Sequence, residues 1–156
     1  MILSDYVELN PRVTLPKGAL VPFVSMDVIK PGTRNVYPSQ KRPATGSGSK
    51  FAPGDTLFAR ITPCLENGKI AQYAGDQLGM GSTEFFVLRA KAGIADPAYV
   101  YYFAQNPDVR LAAEKSMSGA SGRQRAVISS LSEFACEFPP LPIQQRIAGI
   151  LSAYDE

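Results

Sequence analysis

A chain of 156 residues is one domain's worth at about 150 residues per domain. Its composition, 45% hydrophobic, 19% charged and 10% aromatic, is that of a globular fold long enough to bury a sizeable core. The net charge is only +2 and there is no histidine, which excludes a Ser-His-Asp triad, a Cys-His pair and any His-ligated metal site.

In chain order, residues 1–10 predict a short structured start that ends at Asn10-Pro11. Leu20–Val28 reads as a strand with a proline near its beginning. Residues 29–53 are polar and rich in Pro, Gly and Ser, and are expected to form a long functional or mobile loop. Asp55–Ile61 alternates, with Thr56, Phe58 and Arg60 on one face of a strand and Leu57, Ala59 and Ile61 on the other. Asn67-Gly68 is a turn signal, and Lys69–Tyr73 returns as a strand. Gly79–Ser82 turns again before the strong strand Thr83–Ala90. The middle of the chain is therefore expected to be a β-meander.

The pattern then changes to helix. Asp96-Pro97 opens Pro97–Gln105 and Asn106-Pro107 opens Pro107–Met117, each with a capping side chain followed by proline at the first helical position. Ser118–Arg125 is a Gly/Ser loop carrying bases. Ser130–Phe134 is expected to form one helical turn and Cys136–Phe138 a short strand. After Pro139-Pro140, a last helix places Ile143, Ile147, Ile150, Leu151 and Tyr154 on one apolar stripe. That stripe suits either the chain's own sheet or the start of a longer helix between subunits.

Charge is unevenly placed. Val28–Gly54 holds Lys30, Arg34, Lys41, Arg42 and Lys50 with no acid, so the remainder of this +2 chain is net acidic. Lys115–Ser132 is also acid-free, and the tail carries Glu133, Glu137, Asp155 and Glu156 against Arg146. Basic loops of this kind form a phosphate-binding face or are simply solvated. The two cysteines, Cys64 and Cys136, are too few for a disulfide framework or a structural zinc site and fit a reducing compartment. The amino terminus, MILSDYVELNPR, lacks the pattern of a signal peptide, and no run approaches the ~20 apolar residues that span a membrane. A cytoplasmic setting is expected.

Catalytic patterns fit poorly. Gly46-Ser47-Gly48 lacks the P-loop spacing and no helix follows it, so it is expected to be a flexible loop. Asp55, Glu66 and Lys69 approximate a metal-dependent nuclease, but the Glu-to-Lys spacing is off by one and Glu66 sits on a turn. No Asn-Pro-Pro-Tyr run for amino-methyl transfer is present. Arg123-Gln124-Arg125 is different in kind, because Arg pairs bidentately with guanine and Gln with adenine. Local sequence leaves that triplet either a groove-reading loop or a charged solvent loop.

Four segments together resemble one family. Gly54–Lys69 (GDTLFARITPCLENGK), Gly81–Arg89 (GSTEFFVLR), Ser118–Arg125 (SGASGRQR) and Pro139–Leu151 (PPLPIQQRIAGIL) are similar, in order, to motifs of type I restriction–modification specificity subunits. Ile143-Gln144 departs from the last motif, where Glu is common one position before Gln145. The resemblance implies an α+β fold: a single β-rich target recognition domain over 1–140, two short helices after the central strands, and a C-terminal helix over 141–156. That helix would begin the family's spacer and dimerisation helix.

The implied function is sequence-specific binding of double-stranded DNA without catalysis, directing methyltransferase and restriction subunits. S-adenosylmethionine, ATP and Mg are then expected in those partners, with no cofactor in this chain. In this reading Lys41, Arg42, Lys50 and Lys69 contact phosphates. Arg60, Thr62, Ser82 and Thr83 contact the backbone or brace loops, and Arg123, Gln124 and Arg125 reach base edges. Ile143, Ile147, Ile150, Leu151 and Tyr154 face a protein partner, a homodimer among them. Two alternatives are a module that docks a methyltransferase without binding DNA and the recognition part of a single-chain restriction–methylation enzyme.

Overall fold

Nine strands divide between two sheets in the computed structural model, which describes residues 1–120 and 122–155. Ser121 of the Gly/Ser loop and Glu156 of the acidic tail lie outside the described residues. The strands are β1 (Val7–Leu9), β2 (Leu20–Val24), β3 (Asn35–Val36), β4 (Gln40–Pro43), β5 (Ser49–Phe51), β6 (Thr56–Ala59), β7 (Ile70–Tyr73), β8 (Gly79–Gly81) and β9 (Phe85–Ala90). One sheet runs β1-β9-β6-β7-β3 and the other β4-β2-β8-β5. Helices α1 (Pro97–Ala104), α2 (Pro107–Lys115), α3 (Ser129–Ser132) and α4 (Leu141–Tyr154) follow, giving the expected α+β class.

Alternation along β6 and β9 explains the layering. Phe58, Phe86 and Leu88 join a core built with Tyr101, Val109 and Leu131 from the helices. Leu57, Phe85 and Val87 point the other way, into a second core with Val24 and Phe51 of the smaller sheet. Both faces of the central strands are therefore buried, which is why they read as apolar runs. A third, small cluster of Val21, Phe23, Ala44 and Met80 lies on the outer face of the smaller sheet.

The central strands do not form a simple meander. β6 pairs antiparallel with both β7 and β9, while β8 crosses to the other sheet and runs parallel to β2. The expected long loop 29–53 contains β3, β4 and β5. Its Gly46–Gly48 segment is docked rather than loose: Thr45 Oγ1 donates to the Ser47 carbonyl at 3.0 Å and Ser49 Oγ to that of Ser82 at 2.8 Å. Gly48 has φ +93°, and a Cβ there would meet the Gly81 carbonyl oxygen at 2.8 Å. Only glycine permits that approach.

Other boundaries moved for local reasons. β2 stops at Val24 because Ser25, whose hydroxyl bonds Asp27, leads into a 3-10 turn at Met26–Val28. β9 starts at Phe85, since Ser82 caps the preceding turn by accepting from the Glu84 N–H at 3.1 Å. Cys136–Phe138 forms no strand; the pairing there is a single bridge between Ile2 and Ala135. The capping predictions for α1 and α2 hold, with Asp96 accepting from Tyr99 N–H at 2.9 Å and Asn106 from Asp108 N–H at 2.8 Å.

The last helix turns its Gln144 face inward. Its buried residues are Gln144 and Ala148. Gln144 accepts from the Asp96 N–H at 2.9 Å and donates to the carbonyls of Ile94 at 3.1 Å and Pro139 at 2.9 Å. Three bonds from one buried amide fix the helix's rotation, and the apolar stripe is left outward. Ile150 is 62% exposed and Tyr154 84%. Near the helix end, Arg34 donates to Ser152 Oγ at 2.8 Å and Tyr102 bonds the Asp155 carboxylate.

Candidate nucleic-acid interface

Beyond β1 the chain must leave the sheet edge. Asn10 does this at φ +49°, a conformation asparagine tolerates, while its side chain accepts from Val87 N–H at 2.9 Å. The turn sends Pro11–Lys17 over the outer side of the molecule, beside the docked loop 44–50. Three shallow recesses adjoin there, of about 440, 600 and 510 Å³. Each borders the other two, the first and third sharing Arg12, Val13 and Lys50, the first and second Gly48 and Thr83, and the second and third Thr45, so they form one broken groove. Its cations are Arg12, Lys17, Arg42, Lys50 and Arg60. Among the described residues, only Arg60 of these five has a carboxylate within 4 Å.

The Arg123–Arg125 segment adjoins the groove through a shared acid. Glu84, which follows Thr83, accepts from Arg125 Nε at 2.9 Å and Nη2 at 2.9 Å, and from Arg60 Nε at 3.3 Å. Hydrogen bonds from Arg125 hold the Glu84 carboxyl below its ordinary range against the opposing effect of burial, and the charges of Arg125 and Arg60 add to this. The backbone ties are equally direct: Thr62 N–H donates to the Gln124 carbonyl at 2.9 Å and Ala126 N–H to that of Arg60 at 2.7 Å. Arg125 is therefore bound to the scaffold, unlike the expected three side chains free to enter a groove. Arg123 is exposed and Gln124 half-buried beside it.

The remaining predicted residues scatter more widely. Ser82 and Thr83 line the recesses. Thr62 donates to the Glu66 carboxylate and braces the turn after β6. Lys69 donates to the Met26 carbonyl at 3.2 Å. Asp27, next to Met26, has its carboxyl held low first by the Ser25 hydroxyl and its own N–H, with Lys69 and Arg42 contributing charge. Lys41 alternates with Arg42 along β4 and so projects from the opposite face. Arg12 and Lys17 were not anticipated from sequence. Asn10-Pro11 and Lys17-Gly18 mark turns on either side of them, but a lone Arg and a lone Lys carry no local signal. Asp55, one of the nuclease-like residues, is buried and engaged: Arg89 donates to both its oxygens at 2.9 and 2.8 Å, and Ala52 N–H adds a third bond.

The chain thus combines two packed sheets, a groove lined by cations and a helix that leaves an apolar stripe exposed. The chain belongs to the type I restriction modification DNA specificity domain family, whose model matches residues 19–156. It is 28% identical over 151 residues to the type I restriction enzyme EcoAI specificity subunit of Escherichia coli, covering 93% of this chain and 26% of that protein. It is 29% identical over 157 residues to the EcoEI specificity subunit of the same organism, covering 96% of this chain and again 26% of the relative. The chain thus spans about a quarter of the curated relatives it matches. In fold it resembles the HsdS subunit from Thermoanaerobacter tengcongensis, with a TM-score of 0.77 at 18% identity over 99% of this chain and 41% of that one. A type I restriction-modification system S subunit from M. genitalium gives 0.57 at 18% identity, over 99% and 38%. Among the described residues no helix is long and apolar enough to cross a membrane.

Proposed function

We propose that this chain is a non-catalytic DNA recognition domain of a type I restriction–modification specificity subunit. It reads part of a duplex target in the cytoplasm on behalf of methyltransferase and restriction subunits. The observation that carries the reading is the gathering of Arg12, Lys17, Arg42 and Lys50, free of carboxylate partners within 4 Å among the described residues, around one groove. Such a patch attracts phosphates even when net charge is small.

Arg12, Lys17 and Lys50 serve as phosphate contacts. Lys41 and Lys69 lie nearer the margins and add to the general field. Arg60, Thr62, Ser82 and Thr83 brace the turns that face the duplex. Arg123 and Gln124 reach base edges, while Arg125 positions their loop through Glu84. Recognition is assigned to residues 1–140, and helix 141–156 carries the partner face: Ile143, Ile147, Ile150, Leu151 and Tyr154. That face docks a protein, either another helix of the specificity subunit, a second copy of this chain, or methyltransferase. S-adenosylmethionine, ATP and Mg act in the partner subunits. The exposed stripe also favours a partner-docking role for the chain in its own right.

Fluorescence anisotropy across a salt series tests the reading. Lys50→Ala and Arg12→Ala are each expected to weaken binding to all duplexes and to reduce the slope of log K against log salt by about 0.9. An unchanged slope for both would remove the groove from the interface.

A further inference from the structure

We propose that Arg42 is a base-reading residue, presenting its terminal guanidinium fork to a guanine in the major groove. This rests on the DNA-binding reading and assigns one specificity-determining side chain within it.

The residue sits on β4, which pairs antiparallel with β2 on one side and forms the edge of the smaller sheet on the other. All four residues of β4 are exposed. As the exposed edge strand, β4 is the part of this sheet open to a major groove about 12 Å wide. Register then fixes the side chains: Arg42 lies opposite Val21 and Gln40 opposite Phe23, so Arg42 and Gln40 share the outer face with Phe23.

Two contacts immobilise the guanidinium. Its central carbon lies 3.9 Å from the Phe23 ring centroid, and Nε donates to Gln40 Oε1 at 3.2 Å. Phe23 is itself buried in the outer cluster with Met80, so the surface beneath the arginine is firm. The Nη1 and Nη2 atoms have no protein acceptor among the described residues; Arg42 lines the recess of about 600 Å³, and the Asp27 carboxylate is near enough to feel its charge without pairing with it. The Nη1 and Nη2 edge is the one that pairs bidentately with guanine O6 and N7.

The other arginines near the groove make the contrast. Arg125 presents Nε and Nη2 to Glu84, and Arg60 presents Nε to the same carboxylate. A lysine meets phosphate as a point charge, whereas an arginine fork pairs bidentately with phosphate and guanine alike, so the position of Arg42 on an exposed edge strand is what favours a base edge. A stacked, tethered arginine with a free fork is organised for planar, directional recognition. Ser25, Thr45 and Ser47 line the same recess, with the Ser25 hydroxyl bonded to Asp27 and that of Thr45 to Ser47.

The test selects from a library of randomised duplexes with the full 156-residue chain, its Arg42→Lys and Arg42→Ala variants, and Gln40→Ala, each checked by thermal melt for folding. Arg42→Lys is expected to keep the salt slope and to erase a guanine preference at one position, with a ~5- to 150-fold loss on the preferred duplex. Gln40→Ala is expected to weaken the same preference without removing it. A sequence preference unchanged in Arg42→Lys, with Arg42→Ala lowering the salt slope by about 0.9 on every duplex, makes Arg42 a phosphate contact and overturns the proposal alone. Failure of the unmodified chain to retain any duplex at low salt overturns the DNA-binding reading and this assignment with it.

Discussion

Replacing Glu84 with glutamine removes the charge that joins Arg60 to Arg125 while keeping side-chain shape. The structure gives the acid two short contacts from Arg125 Nε and Nη2, both 2.9 Å, and a longer one of 3.3 Å from Arg60. Hydrogen bonds to charged groups contribute roughly 1.5–3 kcal/mol when well shielded. Here the side chains of Arg125 and Arg60 are 42% and 34% exposed, so solvent screening brings the cost down to about 1 kcal/mol. For a domain of this size that corresponds to a Tm lower by about 2–4 °C. The local effect is larger than the global one. The amide of Arg125 donates to Ser118 O and that of Ala126 to Arg60 O, and both should exchange faster in Glu84→Gln than the amides of β6 and β9. The pH dependence has a fixed sign. The folded carboxyl titrates below its ordinary value of 4.5, so the pairing contributes fully above 4.5 and is lost as pH falls through the folded value. Glu84→Gln should therefore flatten the acid limb of the stability profile below about pH 4.5. Identical Tm, exchange and acid limb in variant and parent would refute the clamp.

Gln144→Ala would leave Asp96 N–H and the Ile94 and Pro139 carbonyls without partners, and should lower stability by about 2–4 kcal/mol in urea denaturation. Gly48→Ala must accommodate both φ +93° and a Cβ 2.8 Å from Gly81 O, so it should cost about 1–3 kcal/mol by the same assay and weaken DNA retention. Tyr101, pushed up to about 12 by burial, should ionise later than exposed tyrosines in an absorbance titration; its contribution to stability is complete below pH ~10 and lost as pH rises towards 12. Ile150→Asp, at a position 62% exposed, should change Tm by little and disrupt co-purification with a helical partner.

The sequence discloses most where local chemistry and tertiary packing agree. Asp96-Pro97 and Asn106-Pro107 specify helix starts by capping geometry that does not depend on the rest of the fold. Leu57 and Phe58 show their opposite faces through alternation alone. The sheet partition was not legible, because β8 (GMG) has almost no side chains and its place is set by close backbone packing against Val24 and Phe51. Which way the stripe of α4 faces was left open by the sequence for a related reason. Hydrophobic periodicity counts apolar stripes, whereas α4 is oriented by the three hydrogen bonds of one buried glutamine. At the groove, Lys50 and Arg42 stood out because they belong to an acid-free run. Arg12 and Lys17 join them only through the turn at Asn10, a contact between residues far apart in sequence. Arg125 looked free because its partner, Glu84, lies 41 positions away.

The packing also suggests how one scaffold accommodates changes of specificity. The first two cores are closed by helices and by the second sheet, and a Phe→Ala change in β6 or β9 would cost about 3–5 kcal/mol there. The outer cluster of Val21, Phe23, Ala44 and Met80 is much smaller and opens directly onto the groove. Side chains of β4 and of loop 44–50 are anchored by backbone pairing with β2 and by the glycine contact at Gly81, neither of which depends on the identity of an outward residue. Replacing Gln40, Arg42, Thr45 or Ser47 therefore alters the chemistry of the groove without disturbing either main core.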